Sequence, residues 1–300
     1  RMKIVQTSSH EKGQIYIPLI NWLQFAAVVF AVVAFGSSTN LASAYGIAAT
    51  ATMLTTTLLT FFVVYYGWSY PLLATIAATG FFLVFDVTLF ASTSLKIVSG
   101  GWFTLAISFV LVTLMLTWRK GKQLVFENLQ VHLIPLPDFL TSLFSSPPHR
   151  VPGTAVFFRA EGDGVPHAML HNLTHNKVLH ERVVFLTVQS QGIPTVPAAD
   201  RITVEPLGHQ CFQVNLSYGF VDERNVPNDL LACAGHGLAF EPMETSYFVA
   251  RQNIISTPGS GMASWREALY SAMARNARDA ADYFKLPSNR VIELGTQVEI

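Results

Sequence analysis

Between residues 13 and 95 the chain carries a single formal charge, Asp86. A water-soluble helix or sheet needs a polar face, and 83 residues with one charge cannot supply several of them. Within and just beyond this stretch lie four apolar runs, at residues 17–35, 41–66, 71–91 and 102–118. Nineteen helical residues at about 1.5 Å each reach the thickness of a bilayer's hydrocarbon layer. The runs therefore predict four transmembrane helices. Pro18 suits a first helical turn, and Trp22, Trp68, Trp102 and Trp118 lie near run ends, as interfacial aromatics do.

The rest of the chain is of another kind. Overall, 13% of the residues are charged, about half the globular norm, yet from residue 124 onward the composition is ordinary for a soluble domain. Arg1, Lys3 and Lys12 precede the first run, while Arg119, Lys120 and Lys122 follow the last. An even number of crossings places both basic flanks on one side, the cytoplasmic side. A net charge of zero argues against a nucleic-acid partner. Cys211 and Cys233 make no disulfide framework, which suits a reducing compartment. The opening "RMKIV" has no cleavage site after its apolar run, so no signal peptide is expected, and the chain reads as the later part of a longer protein.

This gives three regions: residues 1–122 with four membrane helices, a proline-interrupted connector at 123–150, and an α/β domain at 151–300. "KQLVFENLQVHLIPL" in the connector is expected to lie on the membrane surface. In the last region "TAVFF", "RVVFLTV", "RITVEPL", "CFQVNLSYGF", "TSYFVARQ" and "RVIELGTQVEI" alternate or cluster as strands do. "VPHAMLHNLTHNKVLH", "VPNDLLACAG" and "MASWREALYSAMARNARDAADYF" read as helices, the last with an apolar stripe at Trp265, Leu269, Ala272, Met273, Ala280 and Phe284.

Two features in the membrane region exceed what an anchor needs. Stepping by 3.6 residues from Tyr45 reaches Ala49, Thr52, Thr56 and Thr60, so a tyrosine and three threonines share one helix face. One reading is packing through hydroxyl side chains that bond their own helix's carbonyls. The other is a polar wall whose oxygens replace part of an alkali cation's water shell. Asp86 is the second feature. A carboxylate at a helix centre costs about 2.5–3.5 kcal/mol on insertion scales. It serves as a structural partner of another helix, as a cation's counter-charge, or as a proton carrier.

The blocks "GQIYIPLINW", "SSTNLASAYGIAATATMLTTTLL", "GGWFTLAISFVLVTLMLTWRKGKQL", "RVPGTAVFF", "EPMETSYFVAR" and "LPSNRVIELGTQVEI" closely resemble the Kup-type potassium uptake transporters, the KUP/HAK/KT family. The resemblance covers nearly the whole chain. It implies a larger broken-helix secondary transporter carrying K⁺ with H⁺, of which this chain holds the last four membrane helices and a cytoplasmic α/β domain. It implies further membrane helices ahead of residue 1 as partners, beside the lipid bilayer and a possible homodimer through the cytoplasmic domain. The transported ions are K⁺ and H⁺, with no cofactor and no bound metal. By the same resemblance Asp86 is the transport and proton-coupling residue. Asn40, Tyr45 and Gly46 match the family's "NLAAAYG" block and, with Thr52 and Thr56, form the expected ion pathway. Thr104 stands where the family more often has proline, which is expected to straighten the start of the fourth helix. The family location is the plasma membrane, the inner membrane in a Gram-negative cell.

Weaker signals lie in the α/β region. His167, His171 and His175 recur at i, i+4 and i+8 with His180 beyond, a spacing that can hold zinc but lacks the flanking glutamate of a metalloprotease helix. "TPGSGMASW" sets glycines and serines before a helix, an anion-favouring arrangement without a phosphate-binding lysine. No nucleophile, base and acid fall together as an enzyme requires, and the resemblance implies a transporter. The competing reading is a membrane-anchored sensor whose α/β domain binds a nucleotide or a protein.

Overall fold

The computed structural model describes residues 4–131, 134–159, 164–255, 261–276 and 280–299. The chain divides into two compact units, Leu19–Leu116 and the remainder.

Among the described residues, four helices are long and apolar enough to cross a membrane. They are α1 (Pro18–Phe35), α2 (Ser38–Phe62), α3 (Leu72–Ser94) and α4 (Trp102–Val131). A two-residue hairpin, β1 (Val5–Gln6) with β2 (Ile15–Tyr16), precedes α1. Ser37 caps α2 by accepting the backbone N–H of Asn40. Wider π-turns follow α2 at Val63–Gly67 and precede α4 at Ile97–Gly101. Gly100 adopts φ +148°, and a side chain there would meet the carbonyl oxygen of Asn40 at 2.5 Å. The bend ahead of α4 is thus set by Gly100 rather than lost with the missing proline. Thr104 instead donates its hydroxyl to the carbonyl of Ala44 on α2 at 2.9 Å, tying α4 to α2.

The second unit is an α/β domain. Its strands are β3 (His149–Arg159), β4 (Val178–Ser190), β5 (Ile202–Gly208), β6 (Cys211–Tyr218), β7 (Thr245–Ile255) and β8 (Val291–Glu299). They lie in the order β5-β6-β4-β3-β7-β8, parallel throughout except for β5, which runs antiparallel to β6. The helices are α5 (Leu136–Ser145), α6 (His167–Asn176), α7 (Ala198–Arg201), α8 (Val226–Ala232), α9 (Ser264–Arg275) and α10 (Ala280–Tyr283). From β3 the chain winds outward to β4 and β6, then returns to the other side with β7 and β8, a doubly wound arrangement.

Parallel strands covered on both faces read as continuous apolar runs, and β4 obliges: Val183, Val184, Phe185 and Leu186 are all fully buried. Alternation then divides them between two cores. Val156, Val184, Leu186, Val214 and Leu230 fill one face of the sheet. Ala155, Phe157, Val183, Phe185, Met169 and Leu140 fill the other. Each such large side chain contributes about 1.5–3 kcal/mol of burial.

Three sequence expectations are corrected here. The first α/β helix stops at Asn176 because Lys177 takes a left-handed conformation at φ +57°, and His180 belongs to β4. Residues 122–131, expected along the membrane surface, continue α4 as helix, with Val125 buried against Tyr270 and Val298. The last helix is α9, ending at Arg275, with α10 beyond it. Its buried residues are Glu267, Tyr270 and Ser271, while Trp265 is 58% exposed. Residues 257–260 of "TPGSGMASW" lie outside the described residues, and Gly261 follows them at φ +107°.

Candidate functional site

Threonine is common on α2 and α3, and most of its hydroxyls are spent locally. Thr52 donates to the carbonyl of Ala48, Thr56 to Thr52 and Thr60 to Thr56, each at 2.8 Å. Thr79 and Thr88 do the same on α3. Returning the hydroxyl to the fourth carbonyl back satisfies it without a partner helix, so it is tolerable in an apolar setting.

Two threonines of α2 behave differently. Thr57 donates across the α2–α3 seam to Oδ2 of Asp86 at 2.5 Å, within the range of a hydroxyl on a carboxylate oxygen. Two helical turns earlier, the hydroxyls of Thr50 and Thr93 meet at 2.8 Å. Seven residues separate the pair on each helix, so the two contacts share one antiparallel register. Gly46 completes the second contact, since its open Cα face lies against the methyl of Thr93.

Asp86 is only 6% exposed, the sole acid among the described residues of α2 and α3. Burial of a carboxylate is costly without a donor, and Thr57 supplies one. Thr57 also lines a cleft of about 240 Å³ with Leu58, Phe61, Ile76, Thr79, Gly80 and Leu83. Its walls are almost wholly apolar, so it offers space beside Thr57 but few partners for water. Chemically the arrangement offers one ionisable oxygen pair, a hydroxyl that tracks it, and a neighbouring hollow.

The expected ion-pathway residues distribute otherwise. Asn40 sits half-buried in the first turn of α2, its carbonyl against Gly100. Tyr45 is 75% exposed, and Thr52 and Thr56 also face outward from this chain. The structure joins Asp86 to none of these five. Thr57, Thr50 and Thr93 were not singled out from sequence. A second stripe at Ser43, Ile47, Thr50, Leu54, Thr57 and Phe61 has the same helical spacing, and the run Thr55–Thr56–Thr57 leaves its phase open.

In the α/β domain the histidine row does not gather. His171 and His175 stack with ring centroids 5.8 Å apart, whereas His180 packs edge-on against Phe248 from its strand. Burial lowers the His180 pKa, favouring its neutral form. Cys211 and Cys233 are buried free thiols, each pushed up to about 11 by burial. Tyr218 donates to Asp229, and Arg201 joins Asp222 at 3.3 Å beside it. Burial first, then the bond to Asp229, raises the tyrosine's pKa.

Residues 1–123 match the family model described as the K⁺ potassium transporter integral membrane domain, and residues 152–300 match the K⁺ potassium transporter C-terminal domain. Among curated proteins, a "probable potassium transport system protein Kup" of Herminiimonas arsenicoxydans is 62% identical over 300 residues. Proteins of the same description from Janthinobacterium sp. (strain Marseille) and Nitrosospira multiformis are 61% and 54% identical. Each alignment spans 100% of this chain and 48% of the relative, so the chain spans about half the length of the relatives it matches. The two family models divide where the membrane helices give way to the α/β domain, and the chain belongs to the K⁺ potassium transporter family.

Proposed function

We propose that this chain forms the later part of a secondary transporter that carries potassium into the cell together with protons. The relatives are described as potassium transport proteins, and the finer claim of proton coupling rests on one observation. Asp86 is a buried acid in a seam between two apolar helices, held by a single crossing hydroxyl from Thr57. Beyond its structural bond to Thr57, an intramembrane carboxylate in that setting is suited to pair with a moving cation or to carry a proton.

In this reading the helices of the longer protein that this chain does not include supply most of the ion's oxygen ligands. Tyr45, Thr52 and Thr56 face them, and Asn40 and Gly46 hold α2 in place. The protein is a multi-pass plasma-membrane transporter rather than an enzyme. Its α/β domain lies in the cytoplasm, a placement supported by Arg119, Lys120 and Lys122 at the end of the apolar part of α4. Pairing of two copies through the α/β domain belongs to the same proposal. It is supported by β8, an edge strand among the described residues with one side open.

The test uses the full-length protein in cells deficient in potassium uptake. Asp86→Asn abolishes or strongly reduces rubidium uptake and the accompanying alkalinisation of the medium, with unchanged protein in the membrane. Normal uptake and normal alkalinisation by that variant would remove Asp86 from the mechanism.

A further inference from the structure

We infer that Trp265 on α9 lies in the headgroup layer of the bilayer, so that the α/β domain touches the membrane through this helix. The inference rests on α4 crossing the membrane. Along α4 the apolar run ends at Thr117 and Trp118, and Arg119, Lys120 and Lys122 follow at once. That change of composition marks the lipid–water boundary.

The first turns of α9 are fastened to this boundary. Arg266 donates from Nε to the hydroxyl of Thr117 at 3.0 Å, and Thr117 is fully buried. One turn on, the ring of Tyr270 packs against Trp118 with centroids 5.4 Å apart. Gly121 admits that ring, since a Cβ there would lie 2.3 Å from it. Arg266 therefore fixes the height of its neighbour Trp265 beside the end of the apolar run.

Trp265 takes no part in this docking. The helix buries Glu267, Tyr270 and Ser271, while Trp265 keeps 58% of its surface exposed. A large exposed indole is unfavourable in water. At a headgroup layer its apolar body meets acyl chains and its N–H finds a polar partner. The surrounding charge fits the same occupant: Arg119 and Lys122, which follow the docked Thr117 and Trp118 on α4, are exposed, and anionic lipid headgroups attract such residues. A protein partner would need no basic collar at this height, so a lipid surface is the occupant the site favours.

The experiment uses the full-length protein in nanodiscs of phosphatidylethanolamine and phosphatidylglycerol. A nitroxide is attached at Trp265→Cys, at Glu205→Cys on exposed β5 as the aqueous reference, and at Met115→Cys within the apolar part of α4. The thiols of Cys211 and Cys233, at about 11, stay unlabelled at neutral pH. Oxygen is expected to relax the label at 265 more than a water-soluble nickel chelate does, with the order reversed at 205. Nickel relaxation at 265 equal to that at 205, with 115 shielded, overturns the inference alone. Nickel access at 115 as well overturns the membrane crossing on which it rests. Hydroxyl-radical footprinting of the unsubstituted protein reads the same surface without a variant. Trp265 is oxidised severalfold less in nanodiscs than the comparably exposed Met243, and equal oxidation counts against the proposal.

Discussion

Thr57 and Asp86 are joined across two helices by a 2.5 Å hydrogen bond, although Thr56, one position earlier, keeps its hydroxyl on its own helix. The local rule for threonine in an apolar helix is self-satisfaction. Thr57 departs from it because a buried carboxylate without a donor costs more than a threonine carbonyl bond returns.

Replacing Thr57 by valine keeps shape and removes the donor. The expected cost is about 1–3 kcal/mol, the usual penalty for a buried polar group left unmatched. In the full-length protein Thr57→Val lowers rubidium uptake, Thr57→Ser retains most of it, and Thr88→Val, whose hydroxyl serves only Val84, leaves it unchanged.

The Thr50–Thr93 contact is weaker because both hydroxyls also reach their own carbonyls. A double-mutant cycle with Thr50→Val and Thr93→Val should return a coupling of about 0.6 kcal/mol, the average for hydrogen bonds between membrane helices. Steric-trap unfolding in bicelles measures it. A coupling near zero would remove this contact from the α2–α3 seam.

Gly100→Ala is expected to be more damaging than its size suggests. The φ of +148° strains any side chain, and Asn40's carbonyl oxygen lies 2.5 Å from the new carbon. A cost of about 1–3 kcal/mol follows from the backbone alone. Reduced thermal stability of the purified full-length variant checks it.

Gly121→Ala sets two effects against each other. Helix propensity favours alanine by about 1 kcal/mol, while a Cβ 2.3 Å from the Tyr270 ring forces repacking worth about 1–3 kcal/mol. The clash wins, since three ring atoms crowd the same point. Amide exchange in α9 should quicken in Gly121→Ala and recover in Gly121→Ala with Tyr270→Leu.

The two thiols give a pH signature. Each is raised from 9.0 to about 11 by burial, so between those values the folded domain holds protons that the unfolded chain has lost. Stability therefore falls as pH climbs from 9 toward 11 and is fully retained below 9. Maleimide labelling of Cys211 and Cys233 at pH 7 should be negligible until denaturant is added.

How far the sequence told this in advance depends on the kind of signal. A charge-free stretch has one physical solution, so the four long helices were legible to within a few residues at most ends. The parallel strands were legible for a similar reason: "RVVFLTV" has no polar face to turn outward. What composition does not encode is phase and company. The stripe from Tyr45 through Thr56 and the stripe through Thr50 and Thr57 are equally periodic, and only the position of α3 selects which one meets Asp86. Lys177 illustrates the same limit, because a left-handed lysine that ends α6 carries no sequence mark, unlike the glycine more usual there. Trp265 looked like part of a core stripe for want of knowing that α9 docks by Tyr270.

The equal seven-residue spacing of the two seam contacts works like a pair of index pins in a machine part. A slide by one residue or a roll of either helix breaks both at once, stripping the carboxylate of its donor while the threonine hydroxyls fall back on their own carbonyls. The hairpin of α2 and α3 is therefore keyed in one register, so that a shift of Asp86 along the seam would move the outward hydroxyl face of α2 with it.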